Sequence, residues 1–155
     1  PPEALELFLR FGDEHNNALY PHAALATRGQ KAHFPGAAVG VMSLLYEQID
    51  PEQNKRFWQG TIDDLDIQEV GDPRKALRDH INQFVVRHVR GVESALRADQ
   101  GARWIHLAWQ KFIAGKPITK HHQAKGFRET AADHTTVESM NRDIALMVNA
   151  LIHNG

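Results

Sequence analysis

No cysteine occurs in the 155-residue chain, which excludes a disulfide scaffold, thiolate metal sites and thiol catalysis. No apolar run reaches the roughly 18 residues that a membrane-spanning helix needs, and the longest candidate, Ala37–Leu45, falls well short. The first residues carry acids where a signal peptide carries bases, so a cytoplasmic protein is expected. A Gly-rich phosphate loop, a nucleophile elbow and a His-Glu-x-x-His pair are all missing. So are internal repeats and low-complexity tracts. The chain begins Pro1-Pro2 without Met, as a processed product or an excised domain would. What remains is an ordinary globular composition, 42% hydrophobic and 24% charged. Its length suits a single helical domain over 1–155, part of a longer chain or not, with a core of its own.

Charge is present but segregated. Residues 74–128 hold twelve Lys or Arg against three acids, residues 1–73 hold five against twelve, and residues 129–155 one against four. A net charge of −1 therefore conceals a basic block of +9 between acidic flanks. Such a split points to a polyanionic partner, or to basic and acidic surfaces that meet each other.

Apolar spacing reads as helix nearly throughout. Leu5, Leu7, Phe8 and Phe11 form a stripe behind Pro2, Tyr20-Pro21 opens a second element, and Phe34-Pro35-Gly36 is a turn. Ala37–Ile49 is apolar almost all round and reads as a buried central helix. Asp50-Pro51 is a helix start, with Asp as cap and Pro at the first position. Phe57 and Trp58 anchor that helix, which Gly60 is expected to end, and Thr61–Gly71 is an acidic connector. Asp72-Pro73 repeats the start signal. Leu77, Ile81, Phe84, Val85 and His88 follow at helical spacing, which leaves Arg74, Arg78 and Asn82 on a shared face expected to point outward. Val92–Ala114 reads as one long helix or two broken near Asp99–Gly101. Ile105, Trp109, Phe112 and Ile113 mark its buried face, and Gly115 and Pro117 stop it. Thr135 and Glu138 form a capping box for a final amphipathic helix carrying Val137, Met140, Ile144, Met147, Val148, Leu151 and Ile152. The expected fold is all-α, a single-domain bundle of six or seven helices around the buried central one.

The basic block supplies the candidate phosphate contacts: Arg74 and Arg78 on a helix face, Arg87 and Arg90 at a turn, and Lys116, Lys120, Lys125 and Arg128 in a loop. The competing reading has these side chains solvated, or paired with the acids of residues 47–72. Metal ligation by His121, His122, Asp133 and His134 is disfavoured because neighbours on an extended chain point apart. Asp63, Asp64, Asp66 and Glu69 supply oxygen ligands suited to Mg²⁺ but read better as a solvated connector. His88 and His106 lie near apolar faces, as hydrogen-bonded core or rim residues do. Trp58, Trp104 and Trp109 read as core, since base stacking requires an exposed ring face. Arg–His spacings like those of small HEPN-type ribonucleases occur at Arg10–His15, Arg28–His33, Arg74–His80 and Arg128–His134, in a chain rich enough in both residues to produce some by chance.

Three short pieces occur in order: Phe57-Trp58-Gln59-Gly60, then Gly71-Asp72-Pro73-Arg74-Lys75-Ala76-Leu77-Arg78, then Ala108-Trp109-Gln110-Lys111-Phe112 leading to Gly115-Lys116-Pro117. Residues 57–120 thereby resemble the helical C-terminal region of phage- and plasmid-borne proteins that carry a ParB-like domain at their N-terminus. Gln110 stands where that pattern usually has Asn. The ParB-like domain itself has no counterpart here, so no catalytic residue carries over. The resemblance implies a phage, plasmid or defence setting with DNA nearby. The reading that follows is a non-enzymatic, nucleic-acid-associated module with DNA rather than RNA as partner, and with no cofactor, metal or membrane. The alternatives are a protein-interaction or homo-oligomer-forming domain that pairs acidic with basic surfaces, and a metal-independent ribonuclease of the HEPN type.

Overall fold

The computed structural model describes residues 34–89, 98–119, 142–147, 149, 150 and 153. Beyond Gln83 in its helix, and at residues 36, 37, 98 and 99, it describes backbone alone. Among these residues the regular structure is helical: α1 (Gly36–Ile49), α2 (Pro51–Asp63), α3 (Pro73–Val89) and α4 (Ala98–Ile113), with further helical residues within 142–153. The expected first two elements, the capping box at Thr135 and the His121–His134 group fall outside the described residues. No described helix is long and apolar enough to cross a membrane.

Helix α1 is buried along most of its length, as its thin, apolar composition implies. It packs against α2 and α4, and α3 closes the group against the same two helices. Val39, Val41, Met42 and Tyr46 are fully buried. Phe57 and Trp58 meet them from α2, Leu77 and Ile81 from α3, Ile105 and Trp109 from α4. Tyr46 stacks on Trp109 with ring centroids 4.0 Å apart, and Phe57 meets Trp109 edge-on at 5.5 Å. Ile144 is also fully buried, so the C-terminal stretch packs on the same core. Asn54 ties α1 to α2. Its amide donates to Ser43 O (3.1 Å) and Glu47 Oε2 (2.9 Å), and its oxygen accepts from Trp58 Nε1 (2.9 Å), so a buried polar group is satisfied on both sides.

The caps follow the sequence signals. Asp50 accepts from Gln53 N–H with Pro51 at the first position, and Asp72 accepts from Arg74 N–H at 3.0 Å. The end of α4 is a Schellman motif: Gly115 at φ +67 bonds Phe112 O, and Lys116 N–H bonds Lys111 O.

Two glycines lie inside helices at close approaches, Gly60 against expectation and Gly101 in keeping with the unbroken alternative. Gly60 does not end α2, which runs on to Asp63 with Asp64 as a left-handed cap. Gly60 instead makes room for Arg74. Gly101 does not break α4. A Cβ there would lie 2.9 Å from Pro35 Cγ, so this glycine lets α4 approach the start of α1. Ile113, expected inside, is 49% exposed because α4 is in its last turn there and the chain leaves the bundle.

Candidate nucleic-acid interface

Three of the eight candidate phosphate-binding side chains are described: Arg74, Arg78 and Lys116. Arg74 and Arg78 share a face of α3, as their spacing requires, but that face points inward. The acidic segment after α2 folds over it, leaving Arg74 3% and Arg78 8% exposed and Asn82 half-buried.

Arg74 shows why a guanidinium belongs there. Nε donates to Asp72 Oδ1 (3.0 Å) and Nη2 to Asp72 Oδ2 (2.8 Å), a bidentate pair. Nη1 donates to Arg56 O (3.1 Å) and Leu65 O (3.3 Å), and Nη2 also to Asp66 O (3.3 Å). A guanidinium has five N–H groups, and these bonds occupy all of them. Its plane lies 4.8 Å from the Phe112 ring centroid, and its stem fills the space that a side chain on Gly60 would need. Burial works to raise the Asp72 carboxyl, but the hydrogen bonds and charge of Arg74 outweigh it and hold the group below its ordinary range. Arg78 repeats the theme one turn later, pairing with Asp64 at 2.8 Å and reaching Thr61 O at 3.5 Å. Arg78 thus serves a carbonyl in the last turn of α2 and Arg74 two in the loop that follows, where cations are favoured, and Arg74 also reaches Arg56 O within the helix. They are fasteners, and Arg74 has no donor left for a phosphate.

The three motif pieces converge at this fastener. Phe57 meets Phe112 at 5.6 Å, Gly60 receives Arg74, Asp72 pairs with it, and Gly71 O accepts from Ile118 N–H at 2.7 Å beside Pro117.

Lys116 is exposed, as expected. Arg87 lies in α3 with its side chain outside the described residues, and Arg90, Lys120, Lys125 and Arg128 lie outside them altogether. Two bases outside the eight candidates, Arg56 and Lys111, border Phe112 in space and in sequence respectively. The exposed guanidinium of Arg56 lies 5.7 Å from the Phe112 ring centroid, donates to Gln53 Oε1 at 2.9 Å, and forms no ion pair among the described residues. Phe112 is flanked in sequence by Lys111, whose carbonyl the Lys116 amide holds. The middle of α2 thus meets the last turn of α4, which sets Arg56 beside Phe112, next in sequence to Lys111 and one turn before Lys116. From Gln100 to Arg128 the chain contains no acid. Charge counting hid Arg56 inside the acidic first half; only the Phe57–Phe112 packing carries it to the basic side.

The other candidates resolve as follows. Trp58, Trp104 and Trp109 are all buried. His106 is buried, with a hydrogen bond between its Nδ1 and Tyr46 Oη at 3.0 Å, the partnered core histidine expected. Burial pushes it down to about 4, against a smaller upward pull from Asp143. Burial likewise pushes Tyr46 well above its ordinary value. Of the Arg–His spacings, Arg74–His80 has an arginine already saturated by internal bonds and a histidine set edge-on to Trp104 at 4.4 Å. Both members of Arg10–His15, Arg28–His33 and Arg128–His134 lie outside the described residues. Asp63, Asp64, Asp66 and Glu69 are exposed, and among the described residues no three His, Asp or Glu are grouped to hold a metal. Comparison with family models, curated proteins and solved structures finds no match to the chain.

Proposed function

We propose that the chain is a non-enzymatic, nucleic-acid-associated helical module of a phage, plasmid or defence system, and that it takes phosphates where the middle of α2 meets the C-terminal end of α4. Arg56, Lys111 and Lys116 are the described contacts, and Lys120, Lys125 and Arg128 continue the acid-free run. Arg74 and Arg78 leave the contact set and become its scaffold. One observation carries the reading: Arg56, Lys111 and Lys116 form no ion pair among the described residues, whereas Arg74 and Arg78 in the neighbouring fastener are paired with acids. Binding then comes mostly from counterion release and is weakly sequence-specific. An electrophoretic shift of labelled DNA at rising ionic strength tests it. Retardation at low salt that disappears steeply is expected, and no retardation at the lowest salt refutes it.

A second reading has its own support. Leu65 is 48% and Val70 99% exposed, amid the exposed Asp63, Asp64, Asp66 and Glu69. That mixture suits a protein contact with a basic partner or a second copy of the chain. Light scattering at low and high salt decides it: a mass above the monomer that falls with salt supports this reading, and a monomer at every salt concentration removes self-association.

A further inference from the structure

We infer that the nucleic acid held by this surface is single-stranded, and that one of its bases stacks on the Phe112 ring. The inference rests on the polyanion reading above and adds the class of strand. Among the described residues, Phe34, Tyr46, Phe57, Trp58, Trp104 and Trp109 are all buried, whereas Phe112 is half-buried. Among the described Phe, Tyr and Trp side chains, the one that is only half-buried is thus Phe112, with Arg56 over its ring. Its inner contacts hold it firmly: Phe57 at 5.6 Å, Trp109 at 6.2 Å and the immobilised Arg74 guanidinium at 4.8 Å. Its outer contact is loose. Arg56 is exposed, hydrogen-bonded to Gln53 and drawn toward the Asp72 carboxylate by charge alone, contacts that a phosphate can replace, leaving the ring to a base. Ile113, 49% exposed, extends the apolar surface next to it.

A fixed ring with a displaceable cation and flanking lysines is the arrangement that single strands use, because every unpaired base offers a π face. A duplex stacks those faces on one another and shows edges in its grooves. A ring set flush in a helical surface has nothing to stack on there. Asp72 beside Arg56 is already paired with Arg74.

Fluorescence anisotropy with a labelled oligothymidylate, alone and annealed to its complement, tests the inference on the full chain. The single strand is expected to bind about tenfold tighter than the duplex. Phe112→Leu weakens the single strand by about fivefold or more without changing its salt slope. Lys116→Gln weakens both forms and lowers the slope by about 0.7 for the single strand. Because Phe112 also packs inward, a second readout uses the unaltered protein: photo-crosslinking to a halouracil-substituted single strand, with an adduct expected on the peptide that contains Phe112. Equal affinity for both forms, an unaffected Phe112→Leu protein or adducts only elsewhere overturns the inference and leaves the proposed function standing. Failure of both forms to bind at low salt overturns the two together.

Discussion

Replacing Gly60 by Ala in the interior of α2 ought to stabilise the protein by about 1 kcal/mol, judged by helix propensity alone. The structure predicts the opposite sign. A Cβ at Gly60 would lie 2.5 Å from Arg74 Cδ and Nη1 and 2.7 Å from Cζ. An arginine can normally swing away from such a contact, but this one is 3% exposed and tied by five hydrogen bonds. Displacing it strips Asp72 of its counter-ion and takes the guanidinium donor from the loop carbonyls of Leu65 and Asp66. Breaking a buried ion pair costs about 3–5 kcal/mol, so after the propensity gain Gly60→Ala should destabilise by about 2–4 kcal/mol. Urea denaturation followed by tryptophan fluorescence measures this. The control is the same substitution in an Arg74→Ala background, folded with a stabilising osmolyte if required. There the obstruction is gone and Gly60→Ala should stabilise by about 1 kcal/mol. A rise in midpoint in the wild-type background, or an equal change in both, refutes the fastener.

Three further outcomes follow from the same contacts. Arg74→Lys keeps the charge but replaces a planar five-donor fork by a three-donor point charge, and should lose about 2–4 kcal/mol in the same denaturation assay. The pH dependence has a sign set by His106, whose folded value of about 4 lies below its unfolded value near 6.5. The unfolded chain therefore takes up the proton first. Stability is unaffected above about pH 6.5 and falls as pH drops from there to about 4, by about 3 kcal/mol in all; His106→Gln should flatten that part of a stability–pH curve. The Asp72 contribution is lost only at lower pH, as its depressed carboxyl protonates. Gly115→Ala, at φ +67 with open space around it, should cost about 1 kcal/mol by melting temperature, from backbone strain alone.

Much of the helical framework was legible because its signals are local. Asp50-Pro51 and Asp72-Pro73 start helices wherever they occur between apolar runs, and Gly115 ends one because L side chains avoid its conformation. The buried α1 was legible from composition, and the partnered His106 from its place on an apolar face. The errors share a different cause. Spacing shows that Arg74 and Arg78 lie on one face, but which way that face points depends on whether another segment covers it. Residues 64–72 do so, held by the very arginines they cover. Gly60 and Gly101 look like punctuation in a sequence, yet each marks a close approach by a residue remote in the chain, Arg74 in one case and Pro35 in the other. Arg56 could not be assigned to the basic surface at all, since a charge total over residues 1–73 places it among acids and only tertiary packing moves it.

The central claim is that the basic block divides into internal fasteners and a phosphate-contacting surface. The most direct test is the slope of log affinity against log salt for a labelled single strand, with the wild type compared with the Arg56→Gln, Lys111→Gln, Lys116→Gln triple variant. Loss of three phosphate contacts should reduce the slope by about 2 while leaving the urea midpoint unchanged. An unchanged slope in a folded triple variant would contradict the account.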